Sequence, residues 1–135
     1  MHKTTPLLSA AALAIALLLP LGAQAGDVFV IANANVTLSA DEIREVFVGD
    51  KQTAAGTKLS PMDNSAAQAD FLAKVIKVDA AKYASIWAKK GFREGINPPP
   101  VRASDLEVIA AVKSTPGAVG YVSKASADVK VLQKY

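Results

Sequence analysis

Apolar and polar positions fall in blocks along the chain, and each block carries its own punctuation. Val28-Phe29-Val30-Ile31-Ala32 is a continuous apolar run rich in β-branched residues. Such a run suits a strand covered on both faces, so it is expected at the centre of a sheet. Ser39 precedes Glu42 as in a capping box, and Ile43, Val46 and Phe47 follow at helical spacing until Gly49. A short helix over 40–48 is predicted. After a small, polar stretch, residues 58–62 read as a second strand ending at Pro61-Met62. Asp63, Asn64 and Ser65 are capping residue types, and Phe71, Leu72, Val75 and Ile76 mark one face of a helix over 66–77.

Asp79 caps a further helix whose buried face is Tyr83, Ile86 and Trp87, with Phe92 expected in the same core. Residues 91–102 contain Gly95 and Pro98-Pro99-Pro100, a stiff surface connection. Ser104 and Glu107 repeat the capping box before a helix marked by Leu106, Ile109, Ala110 and Val112, and Pro116-Gly117 stops it. Segments 118–122 and 129–132 close the pattern as strands, with Tyr121 half-buried. Strands alternating with helices predict an α/β domain, its helices packed on a mixed, mostly parallel sheet.

The first 25 residues are of another kind. His2 and Lys3 give a short basic start, Leu7 to Leu19 is almost wholly apolar, and Ala23-Gln24-Ala25 is a small-x-small cleavage site. This predicts a secretory signal peptide over 1–25 and an exported domain over 26–135. The apolar run, roughly 13 residues, falls short of the ~20 that cross a bilayer, so no membrane span is expected after cleavage.

Composition narrows the chemistry. At 51% hydrophobic and 20% charged, with no Cys, the chain is neither disordered nor disulfide-stapled. Its net charge of +3 is scattered, and one positive charge leaves with Lys3, so nucleic acid is not an expected partner. The single His is His2. The exported part therefore lacks the residues for Ser-His, Cys-His or His-based metal chemistry, and no cofactor or metal is expected. Asp41, Glu42 and Glu45 are accounted for by the dipole of the helix they open. Lys89, Lys90, Arg93 and Arg102 are interleaved with Glu94, Asp105 and Glu107 and read as a solvated face. A hydrolase built on Asp63 and Asp70 has no fixed acid–base pair and no activated nucleophile, so no catalytic residue is assigned.

Several segments, taken in order, resemble one lobe of the phosphate-binding proteins of ABC uptake systems, the type II periplasmic substrate-binding family. They are Leu38 to Gly49, like the family's helix ending in Ile-Phe-x-Gly; Phe71 after a polar turn; Trp87 near Phe92; and Thr115-Pro116-Gly117-Ala118-Val119-Gly120-Tyr121-Val122, like Pro-Gly-Ala-Ile-Gly-Tyr-Val. The resemblance implies a single binding-protein-like lobe in the periplasm, without enzymatic activity. Its partners would be a small oxyanion such as phosphate, together with an ABC permease, a sensor or a second copy. It places the anion at the turn before the Phe71 helix, where relatives carry Arg, an acidic residue and then Ser-Gly-Thr.

Physical reasoning points to the same turn, because free amides at a helix start favour an anion. The expected ligand-binding residues are Asn64, Ser65, the amides of Ala66 and Ala67, and Gln68. Asp63 and Ser65 fit the family pattern, but Pro61 stands at or near the Arg position and the Gly and Thr are not kept. A lost Arg–phosphate bond is worth roughly 1.5 to 3 kcal/mol. That departure supports an alternative expectation: an envelope protein-interaction module of the same fold that has lost ligand binding.

Overall fold

The computed structural model describes residues 26–135, and the predicted signal peptide lies outside the described residues. The chain runs β1 (Phe29–Ala32), α1 (Ala40–Phe47), β2 (Thr53–Ala54), β3 (Thr57–Lys58), β4 (Ser60–Pro61), β5 (Asp63–Asn64) and α2 (Gln68–Phe71). A π-helical segment, Leu72–Ile76, continues α2. Then come α3 (Ala80–Glu94), β6 (Val101–Arg102), α4 (Asp105–Ser114), β7 (Ala118–Val122) and β8 (Lys130–Lys134).

The main sheet has the order β4-β7-β1-β8, with β2-β3 and β5-β6 as small separate pairs. The sheet is mixed, as expected, but its parallel content is smaller than the sequence suggests. β1 pairs antiparallel with both β7 and β8, and only β4–β7 and β5–β6 are parallel. The reason lies in pairing across long separations: β7 and β8 come from the far end of the chain and flank β1 without a helical crossover between them.

β1 does lie centrally with both faces covered. Val30 and Ala32 join one core with Phe47, Phe71 and Tyr121, whereas Ile31 joins a second with Val108 and Val112. β7 alternates in the same way, Val119 and Tyr121 facing the first core and Ala118 and Val122 the second. Helices α1 and α3 and the π-helical segment cover one face of the sheet and α4 the other. Each buried aromatic or branched side chain contributes ~1.5–3 kcal/mol through water exclusion.

Helix α1 forms as its cap predicts: the Ser39 hydroxyl accepts from the Glu42 amide at 3.2 Å, and the Glu42 carboxylate accepts from the Ser39 amide at 2.9 Å. At α4 only the first half of that box is made, the Ser104 hydroxyl accepting from the Glu107 amide at 3.3 Å. The inward face of α4 is Val108 and Val112, while Leu106 is 78% exposed and Ala110 is exposed as well. Leu106 sits in the first turn, before α4 meets the sheet.

Phe92, expected in the core, is 93% exposed. Tyr83 and Trp87 define the buried stripe of α3, and a residue five positions past Trp87 is turned away from that stripe by about 140°. α3 also runs to Glu94, shortening the expected connection, and Gly95 ends it in the left-handed conformation at φ 70°. Of the strand expected over 58–62, Lys58 ends β3 and only Ser60–Pro61 form β4. Tyr121 is fully buried rather than half-buried.

Candidate functional site

Sequence reasoning placed the site at the turn between β5 and the Phe71 helix. β5 is held in place by β6: the Asp63 amide donates to the Pro100 carbonyl at 2.8 Å and the Ser65 amide to the Arg102 carbonyl at 2.9 Å. Asn64 is fully buried. Its side-chain amide donates to Asp105 Oδ1 at 2.7 Å and to the Tyr121 carbonyl at 3.0 Å, and its Oδ1 accepts from the Ala66 amide at 3.0 Å. The Asn64 carbonyl accepts from the Ala67 amide at 3.0 Å. Asp105 in turn accepts from the Ser123 amide and hydroxyl, at 3.1 and 2.7 Å.

The turn is therefore an Asx-type structure stapled to α4 and to the end of β7. The amides of Ser65, Ala66 and Ala67 all have partners within the protein. The Ser65 hydroxyl is exposed and donates weakly to the Ala103 carbonyl at 3.3 Å; Gln68 is half-buried. The helix also begins later than expected, at Gln68, with Ala67 as an N-cap that has no side-chain bond. Asn64 serves β5 instead of capping the helix, because a buried amide side chain must satisfy its own donors.

Beside the turn lies a feature that residue types alone did not reveal. Asp63, 2% exposed, accepts from the Tyr121 hydroxyl at 2.7 Å and from the Tyr83 hydroxyl at 3.0 Å. Burial pushes its carboxyl above the usual range, against the pull of the Tyr121, Tyr83 and Gln68 side chains. Both phenols are raised in turn, first by burial and then by the Asp63 charge. Tyr121 stacks on Phe71 at 3.8 Å between centroids, and Phe47 meets Phe71 edge-on at 4.8 Å. Tyr83 was legible as a core residue and Tyr121 only as half-buried, and their shared carboxylate required the fold. The arrangement binds three elements, β5, α3 and β7, together. Among the described residues there is no group of three or more His, Cys, Asp or Glu able to hold a metal ion.

A groove of about 510 Å³ opens along the outer edge of β4. Leu59, Met62, Trp87 and the segment from Ile96 to Pro100 form its apolar walls, and Lys51, Lys58 and Arg102 contribute its charged groups. Lys51 is paired with Glu42 at 3.3 Å. The Trp87 indole N–H donates to the Phe47 carbonyl at 3.0 Å, which fixes the ring in the wall. Of the four basic residues read as a solvated face, Arg102 belongs to this groove, whereas Lys90 pairs with Asp50 at 2.5 Å and with Glu94 at 3.3 Å.

No protein-family model and no curated protein matches the chain. Among solved structures, the chain is similar to an ABC-type phosphate transport receptor from Vibrio cholerae, with a TM-score of 0.51 and 17% sequence identity. The match covers 80% of this chain and 46% of the receptor, so the chain spans about half the receptor's length. No helix among the described residues is long and apolar enough to cross a membrane. The likeness lies in the fold: a mixed α/β arrangement of the kind seen in a substrate-binding receptor.

Proposed function

We propose that this chain is an exported, non-enzymatic binding-protein-like module that acts by docking to another protein of the cell envelope. One observation carries this reading. The donors that would surround an oxyanion at the turn, the Asn64 side chain and the amides of Ser65, Ala66 and Ala67, are engaged within the protein. Opening them to a ligand would strand a buried Asn and break the staple to Asp105, a cost of about 1–3 kcal/mol for each unsatisfied group. The periplasmic address rests on the signal-like 1–25 segment and agrees with the receptor-like fold.

A second reading, capture of phosphate or a related oxyanion for ABC uptake or sensing, is favoured by the fold of the phosphate transport receptor. It would use the exposed Ser65 hydroxyl and the Gln68 side chain, with a permease, a sensor or a second copy supplying further donors. Isothermal calorimetry of the full chain with phosphate, sulfate and molybdate separates the two. The docking reading expects no heat at millimolar anion. Saturable heat that disappears in Gln68→Ala would transfer the case to the oxyanion reading.

A further inference from the structure

We propose that the groove along β4 is the docking site, and that it takes an acidic, extended segment of the partner in which carboxylates alternate with apolar side chains. The inference rests on the docking reading and adds the chemistry of the partner. Lys51 from the loop after α1, Lys58 from β3 and Arg102 from β6 meet around the groove, and no Asp or Glu is among the described residues that line it. Lys58 and Arg102 are exposed, and neither makes an ion pair among the described residues. Rim charges of one sign select carboxylates and speed their approach.

The walls explain why recognition must go through side chains. β4 is an edge strand, yet its outer edge offers little to an incoming strand: Pro61 has no N–H, and the Leu59 amide already donates to the Gln52 carbonyl at 2.9 Å. Pro98, Pro99 and Pro100 likewise have no N–H to give. What remains is apolar surface from the half-buried Pro61 and Ile96 and the exposed Pro98 and Pro100, lying over the buried Leu59, Met62 and Trp87 and beneath a cationic rim. A volume of about 510 Å³ suits several side chains, and is far more than one oxyanion can fill.

Trp87 is the only tryptophan of the chain and stands in the groove wall, so its fluorescence reports occupancy. The full chain is titrated with an acetylated Glu-Leu-Glu-Leu-Glu pentapeptide, with its Lys-Leu-Lys-Leu-Lys counterpart, and with inorganic phosphate. The expected result is a saturable change with the acidic peptide only, weakening as salt rises, and about tenfold weaker in Lys58→Glu/Arg102→Glu. Because both residues are exposed, folding is checked by circular dichroism, and Lys58→Gln/Arg102→Gln provides a milder pair.

An unchanged Trp87 signal, equal binding of the lysine peptide, the same change with phosphate alone, or an undiminished response in the double variants overturns the proposal. Cross-linking to an envelope partner then separates the two levels of inference. Capture that persists in the double variants rejects the groove but keeps docking, whereas a wild-type chain that captures nothing rejects docking itself.

Discussion

The Asp63 carboxylate is the residue on which most of the buried polar structure depends. Removing one of its donors, as in Tyr121→Phe, leaves the ring stack with Phe71 intact and deprives a buried acceptor of its shortest bond. Urea unfolding is expected to show a loss of about 1–3 kcal/mol. The pH dependence has a definite sign. Because burial raises the folded-state pKa of Asp63 above its unfolded value, the folded protein holds that proton more tightly. Its effect on stability is least adverse below the unfolded pKa and worsens as pH rises through the folded one. Glu42 works oppositely: the Ser39 amide, first, and Lys51 lower its pKa, so its support is lost as pH falls through the folded value. Asp63→Asn should therefore remove the decline in stability between the ordinary carboxylate range and the folded pKa of Asp63. Unfolding curves recorded across that interval check this, and an unchanged slope would contradict the burial argument.

At the scale of elements, caps and periodicity made β1, α1, α3 and β7 legible, because local chemistry and long-range packing agree there. The Ser39 box forms as its residues require, and Ser39→Ala should cost about 1 kcal/mol in thermal or urea unfolding. Leu106→Ser, by contrast, should leave stability nearly unchanged, since that side chain faces water. Legibility failed where pairing over long separations decides the outcome. Nothing local indicates that Asn64 turns inward to Asp105 and Tyr121, that β1 lies antiparallel to both neighbours, or that α2 passes into a π-helical turn. The turn before β7 shows the tightest fit between elements. Gly117 adopts φ 85°, and an added Cβ would overlap the Lys58 carbonyl oxygen. Gly117→Ala is thus expected to separate β4 from β7 and destabilise the fold by roughly 3 kcal/mol or more, measurable by calorimetry.

For the whole molecule, the sheet sets a gradient of cohesion. β1 is paired on both sides and sealed between two cores, whereas the β2–β3 hairpin is only a two-residue ladder with exposed positions. Amide hydrogen exchange should be slowest at Val30 to Ala32 and fast over Thr53 to Lys58. Uniform exchange would show that the layers do not cooperate as drawn. The turn at 63–68 was legible as a turn, from its run of capping residue types. Its use was not, because the fate of a donor depends on acceptors remote in the chain. The Val28 amide donates to the Tyr135 carbonyl at 3.2 Å, and the Tyr135 amide returns a bond to the Val28 carbonyl at 2.8 Å. Those two positions are thus neighbours in space, and a brief Gly-Ser bridge would join them without strain. Fresh termini could then be opened at Gly56, whose surroundings are empty, yielding a circular permutant with the same layers. By the same geometry the unit could be grafted into a surface loop of a host protein, entering and leaving at a single point.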